Sequence, residues 1–256
     1  MKKVRVIVPF PMTDDNLSKR RQQLHAVKLG PDITFDFKAV RIAPANYVSY
    51  QDALLADVGI LEAGLSAQEE GYDAVCIDTM SDSGMNALRS VLSIPVIAPA
   101  RHAMLLAQML GEKFSILSMW SRWDPLYKKT LAELGMEHKC ASLRAIEMEP
   151  NNQSLLAGRE DSVFPALYEM ALRCVQEDKA DVIILGSTTM HEAHAYLAER
   201  LPVPVINPGP LTYRLAETAL LLGLTHSKTT YPAPLAPRLE IFKAMGEHIA
   251  QQTVQE

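Results

Sequence analysis

The chain has 256 residues, 48% hydrophobic and 21% charged, the make-up of an ordinary globular protein able to bury a sizeable core. Its net charge is −5 with no basic block, which argues against nucleic acid, and no apolar run approaches the roughly 20 residues of a membrane span. Cys76, Cys140 and Cys174 show neither metal nor redox spacing, so a reducing, cytoplasmic setting is expected.

Lys2-Lys3 followed by Val4 to Val8 has the outline of a signal peptide. The run is too short, and Asp14-Asp15 follow, so it reads as a first strand ending in Pro9-Phe-Pro-Met-Thr13. Asn16 to Gln23 reads as a helix with acids at its start, and Ile33 to Val40 as a second strand. Ile42 to Tyr50 is a loop carrying Tyr47 and Tyr50, and Gln51 to Gly71 has the pattern of a long amphipathic helix. A strand at Ala74–Ile77, a turn at Thr79–Gly84, a helix at Met85–Leu92 and a strand at Pro95–Ala98 follow. Arg101 and His102 then close that strand, ahead of a helix from Ala103 to Leu110.

Phe114 to Met119 is the next strand, its loop carrying Trp120-Ser-Arg-Trp123, and Asp124 to Leu134 is helical. Leu143–Met148 reads as a strand and Val163 to Asp178 as a helix. Val182 to Leu185 is an unbroken apolar run, the signature of a strand covered on both faces. It stops at Gly186-Ser-Thr-Thr189, after which a helical pattern carries His191, Glu192 and His194. Leu211–Leu222 is an apolar helix, Tyr231–Pro237 a proline-rich strap, and a final helix closes the chain, positioned to cross back to the first half. Strand and helix alternate throughout, which gives an α/β class with mainly parallel sheets.

One stretch occurs twice. Asp73 and Asp181 each open a strand, and Thr79 and Ser187 each lie six positions later. Each copy then meets a second short strand, Ile94-Pro-Val-Ile-Ala98 or Val203-Pro-Val-Ile-Asn207. Ligands of open α/β sheets bind beyond the carboxyl ends of the strands, so two hydroxyl-bearing strand ends suggest one site built between two halves on a pseudo-twofold axis. The other reading of those hydroxyls is helix capping, and both roles can coexist. The boundary is expected near Leu110–Phe114, giving halves 1–110 and 111–256.

These paired units, with Ser49-Tyr-Gln-Asp52 and Gly59-Ile-Leu-Glu62, make nearly the whole chain resemble the aspartate/glutamate/hydantoin racemase superfamily, and within it the hydantoin and allantoin racemase branch. The resemblance implies two Rossmann-like parallel-sheet halves with the active site in the cleft between them, and no cofactor. It also implies a catalytic cysteine in each copy, one removing and one returning the α-proton. This chain departs there: the matching positions hold Thr79 and Ser187, and Cys76 lies three residues too early, inside its strand. An unactivated hydroxyl is a far weaker base than a thiol near neutral pH. The first loop departs as well, reading Pro9-Phe-Pro-Met-Thr13 where hydantoin racemases often read Asn-Pro-Asn-Thr.

With the thiols gone, the acid–base candidates are His191, Asp78, His102 and Glu192. Asp78, ending an apolar strand, is costly there unless it is paired or bound to something. Thr13, Tyr47, Ser81, Thr188 and Thr189 are candidate substrate contacts; Arg122, and Arg101 beside His102, could clamp a carboxylate or lie at the surface. Asp78, His102, His191, Glu192 and His194 also leave room for a divalent metal that would activate a water. The expectation drawn is an enzyme acting on a small hydantoin-like ring, or thiohydantoin or related carboxylate, by a hydrolytic or lyase-type step. Thr79 and Ser187 would hold substrate or water, with His191 or Asp78 as the base. The alternatives are a racemase or isomerase with non-cysteine bases, and a non-catalytic binding protein. The expected partners are a small-molecule substrate and further copies of the chain in a homo-oligomer.

Overall fold

The computed structural model describes residues 1–149 and 160–253. Two compact units are present, Met1–Ala98 together with the chain from Thr212, and Pro99–Leu211. None of the described helices is long and apolar enough to cross a membrane.

The first unit runs β1 (Lys2–Val8), α1 (Asp14–Arg21), β2 (Ile33–Ala39), α2 (Tyr50–Gly64), β3 (Ala74–Ile77), α3 (Met85–Val91) and β4 (Val96–Ile97). The second begins with α4 (Pro99–Leu110) and continues β5 (Phe114–Ser118), α5 (Asp124–Leu134), β6 (Cys140–Ala145), α6 (Glu160–Gln176), β7 (Val182–Leu185), α7 (Ala193–Ala198) and β8 (Val205–Ile206). Helix α8 (Pro208–Leu221) carries the chain back to the first unit, where α9 (Leu239–Thr253) packs on α2. The sheets have orders β2-β1-β3-β4 and β6-β5-β7-β8, every pairing parallel. The α/β class and the two parallel-sheet halves read from the sequence are therefore what is found.

Alternation along the buried strands sorts the first unit's core into two layers. Ile7, Val75 and Ile77 pack with Ile60, Ala63, Met85 and Leu88 of α2 and α3. Val4, Val6, Val8, Ala74 and Cys76 face the other way, against Phe37 and, from α8, Tyr213 and Ala216. In the second unit Ile183 and Leu185 join Leu167, Ala171 and Leu197. Ser49 and Asp52 form a reciprocal capping box at the start of α2, the Asp52 amide donating to Ser49 Oγ (3.1 Å) and the Ser49 amide to Asp52 Oδ2 (2.9 Å). Gly59 lets that helix pass directly over the Ile42 carbonyl, where a Cβ would overlap the oxygen.

Most element ends shift by a few residues from the sequence reading, and four differences have a physical cause in the structure. Helix α2 stops at Gly64 rather than Gly71, and the chain to Gly71 forms successive turns, with Gly71 at φ +80°. Strand β6 covers Cys140–Ala145 rather than Leu143–Met148, because its ladder to β5 begins at Phe114↔Cys140 and Glu147 adopts φ 54°, which a strand cannot continue. Arg101 and His102 lie in the first turns of α4, which starts at Pro99, where a missing N–H costs nothing. The units divide at Ala98/Pro99 and Leu211/Thr212 instead of near Leu110–Phe114. The reason is packing: α4 lies on α5, β5 and β7, while α8 beyond Thr212 supplies core to the first unit.

Candidate active site

Strand β3 ends at Ile77, and the amide of Asp78 still donates to the Ile7 carbonyl (2.9 Å), so the turn begins from a fixed edge. Thr79 follows, half-buried. Its Oγ1 accepts from the Ser81 amide (3.4 Å) and shares a hydrogen bond with Ser81 Oγ (3.2 Å), which in turn meets Ser83 Oγ (2.8 Å). The phenol of Tyr47 also hydrogen-bonds with Thr79 and donates to the Pro9 carbonyl (3.5 Å). Burial, and secondly the charge of Asp57, push that phenol well up from its usual range, so Tyr47 stays a neutral hydroxyl. The result is a chain of four hydroxyls at one strand end.

The second unit repeats the strand and the start of this turn in its hydrogen bonds. Asp73 accepts from the Lys3 amide (2.8 Å) and donates to the Lys3 carbonyl (2.7 Å); Asp181 does the same with Lys113 (3.0 and 2.9 Å). The amide of Val75 meets the Pro95 carbonyl (2.8 Å), as that of Ile183 meets Pro204 (2.9 Å). Gly186 donates to the Leu117 carbonyl (2.7 Å), which makes it the counterpart of Asp78 and makes Ser187 the counterpart of Thr79. Ser187 Oγ accepts from the Thr189 amide (3.2 Å) and pairs with Thr189 Oγ1 (2.7 Å), as Thr79 does with Ser81. By the same spacing His191 falls where the first unit has Ser83.

His191 sits between the 3-10 turn Thr188–Met190 and α7, not within a continuous helix. Its side chain is 14% exposed, its ring lies 4.0 Å from Glu192 Oε1, and its carbonyl accepts from Asn207 Nδ2 (3.3 Å). Thr188 is buried and Glu192 exposed. His194 is committed elsewhere: Nε2 bonds the Val205 carbonyl at 3.0 Å, tying α7 to β8.

The other predicted residues divide by what holds them. Asp78, with a side chain 1% exposed, forms an ion pair with Arg20 (2.9 Å) and accepts from Gln23 Nε2 (3.2 Å), so its carboxylate is the counter-ion of a buried arginine. Neither Arg20 nor Gln23 was legible as a partner, because α1 and the 3-10 turn after it supply them from 58 and 55 residues away. Thr13 caps α1, accepting from the Asn16 amide (3.3 Å). Arg122 is exposed and stacks over Trp120, its guanidinium 5.1 Å from the ring centroid, and Arg101 pairs with Glu133 (2.9 Å). Among the described residues no three His, Cys, Asp or Glu side chains gather as a metal site.

No thiol stands in either turn. Cys76 is fully buried inside β3, with Sγ 3.8 Å from the Thr212 carbonyl, and burial followed by the charge of Asp78 pushes its thiol far up. Burial likewise raises Cys140, to about 12, and Cys174.

The chain matches the Asp/Glu/Hydantoin racemase family over residues 13–216. It is 30% identical to a hydantoin racemase of Pseudomonas sp. (strain NS671) over 237 residues, covering 91% of this chain and 92% of that one. Its fold is similar to the solved allantoin racemase from Klebsiella pneumoniae, with a TM-score of 0.83 at 27% identity over 93% of this chain and 95% of the other. It is also similar to the allantoin racemase from Pseudomonas fluorescens, at 0.81 and 26% over 92% and 98%. These relatives correct the expectation of a hydrolytic or lyase-type step. All three relatives, each covering more than nine-tenths of both chains, are racemases, and the isomerase alternative fits them.

Proposed function

The chain belongs to the Asp/Glu/hydantoin racemase family, and on that footing we propose that it inverts the configuration of a small hydantoin-like cyclic amide by moving one proton. The observation that carries this reading is the repeated hydroxyl turn: Thr79 with Ser81 and Ser187 with Thr189 make the same pair of bonds at two strand ends, in a chain similar over most of its length to a hydantoin racemase. The proton at the stereocentre of such a ring is acidified by the adjacent carbonyl, and its loss leaves an enolate. Donors aimed at the developing oxyanion stabilise that state. Ser187, Thr189, Thr79 and Ser81 are hydroxyls suited to this, and Thr188 lines the second turn.

A racemase also needs bases, and hydroxyls alone do not serve at neutral pH. In the second unit His191 is the proton acceptor, since an imidazole titrates in the right range. In the first unit the hydroxyls of Thr79, Ser81 and Ser83 relay the returning proton from water: Thr79 gives one to the enolate as the hydroxyl chain takes one from a water, and the hydroxide left is neutralised by the proton that His191 releases to solvent. Asp78 acts on this scheme as the anchor of that turn through Arg20, rather than as the base.

The test is a single enantiomer of a 5-substituted hydantoin, and of allantoin, incubated with the protein in D2O. Circular dichroism should decay to zero while the ring stays intact and gains one deuterium. His191→Ala should slow this by about 10²–10⁴-fold, the usual contribution of a general acid–base group. Optical activity that persists with correctly folded protein, or loss of the ring itself, would rule the proposal out.

A further inference from the structure

The carbonyl of Gly186 immediately precedes the Ser187 peptide, and a buried side chain grips it. Tyr127, on α5 and 1% exposed, donates its hydroxyl to that oxygen at 2.7 Å. The same phenol hydrogen-bonds with Ser118, the last residue of β5. Gly186 has no room to shift: an added Cβ would stand 2.8 Å from the Tyr127 oxygen, 2.8 Å from Ser118 Cβ and 3.0 Å from the Leu117 carbonyl. On the other side the Gly186 amide is held by Leu117 at 2.7 Å. Gly186 is therefore held on both sides of its Cα, through the N–H of the peptide before it and the C=O of the peptide from which the Ser187 turn departs.

The first unit meets the same need with different chemistry. The carbonyl of Asp78, which holds the equivalent place, is approached by Arg20 Nη2 at 3.4 Å from α1. In both units, then, the strand-end carbonyl before the candidate residue faces a buried donor from the first helix after the unit's first strand. Rotating that peptide would swing the next residue's N and Cα, and displacements near 1 Å cost catalysis on the order of a hundredfold.

We infer that Tyr127 is a positioning residue for the Ser187 turn, with Arg20 as its counterpart for the Thr79 turn. The inference rests on the racemase reading for its catalytic consequence and on geometry alone for its structural one. Burial raises the phenol above its usual range, so Tyr127 is a neutral donor near neutral pH.

The experiment is Tyr127→Phe in the full chain, read two ways. Hydrogen exchange of the Gly186–Met190 amides should speed up at least tenfold while the interior of β7 keeps its protection. Racemisation should lose at least tenfold in kcat with KM within twofold. Ser115→Ala, which removes another buried hydroxyl of the same unit, paired with Ser142 at 2.7 Å, should move neither. If Tyr127→Phe fails to fold, Ser118→Ala, which removes the group orienting the phenol, should shift both in the same direction. Exchange no faster than in the wild type overturns the inference whatever the activity, and so does fast exchange with an undiminished kcat. A wild type that racemises nothing while the variant exchanges faster retires the racemase reading and leaves Tyr127 as the residue that positions the turn.

Discussion

Thr79 and Ser187 sit in matching hydrogen bonds at two strand ends, and this makes the remaining thiols bystanders. Cys76 and Cys174 are buried and Cys140 is half-buried, all three with thiols pushed up by burial, so none offers much thiolate at neutral pH. Treatment of the native protein with iodoacetamide at pH 7.5 should therefore leave racemisation within about twofold of the untreated rate, with little alkylation by mass spectrometry. Inactivation that tracks modification of one cysteine would refute this. Asp78 calls for a different test. It is paired with Arg20 where both side chains are almost fully buried, and removing one partner of such a pair strands the other charge. Arg20→Leu should cost about 3–5 kcal/mol in urea denaturation, against under ~1 kcal/mol for an exposed pair such as Lys19–Asp15. The sequence flagged Asp78 correctly as an acid that needs a partner. It could not say which, because local pattern carries no information about a side chain arriving from a distant helix.

Elements were the most legible level, for a physical reason. Val182–Leu185 and Ala74–Ile77 are short apolar runs between polar turns, and burial on both faces demands that pattern, so their limits are those expected. The Asp124–Leu134 helix is bounded by Pro125 at its start and Gly135 in the left-handed region at its end, both written in the chain. Where pairing or turns set the boundary, the sequence misleads: the register with β5 decides β6, and the turns from Leu65 to Gly71 cut α2 short. The Gly59-Ile-Leu-Glu62 signature owes its glycine to the Ile42 carbonyl beneath it. Gly59→Ala gains helix propensity worth up to about 1 kcal/mol, yet must push α2 off that carbonyl. The overlap is with backbone, which cannot swing aside, so a net loss of about 1–3 kcal/mol is expected. An unfolding midpoint equal to or above the wild type would show that the helix moves freely there.

At the scale of the whole molecule, the repeat was visible in sequence as Asp73 and Asp181 six residues before Thr79 and Ser187, and the shared strand order makes it structural. The chain's return through α8 was not visible, because an apolar helix does not state which sheet it will cover. Charge acts on the molecule as a whole, and its sign can be worked out. Arg5 holds the Glu70 carboxyl down to about 2 from its usual 4.5, and Asp73 and Asp178 are also lowered, where Lys2 and Arg144 pair with them. A carboxylate depressed in the folded state stabilises above its unfolded value and loses that stability as pH falls through the folded one. His226, lowered from 6.5 by burial and by Lys228 and Arg89, behaves alike, because the unfolded chain takes up its proton first. Asp124, raised by burial, acts in the opposite direction. Stability should accordingly be level from pH 8 to about 6.5, fall gently below that as unfolded His226 protonates, and fall again below about 4.5 with the carboxylates. His226→Gln keeps a donor for the Leu92 carbonyl, which Nε2 meets at 2.9 Å, and should erase the first step alone. Glu70→Gln should shrink the second, by no more than an exposed pair is worth, since Glu70 is nearly half-exposed. Urea midpoints measured from pH 3 to 8 on the three proteins decide it: a wild-type curve that rises between pH 6.5 and 5 contradicts the sign derived for His226.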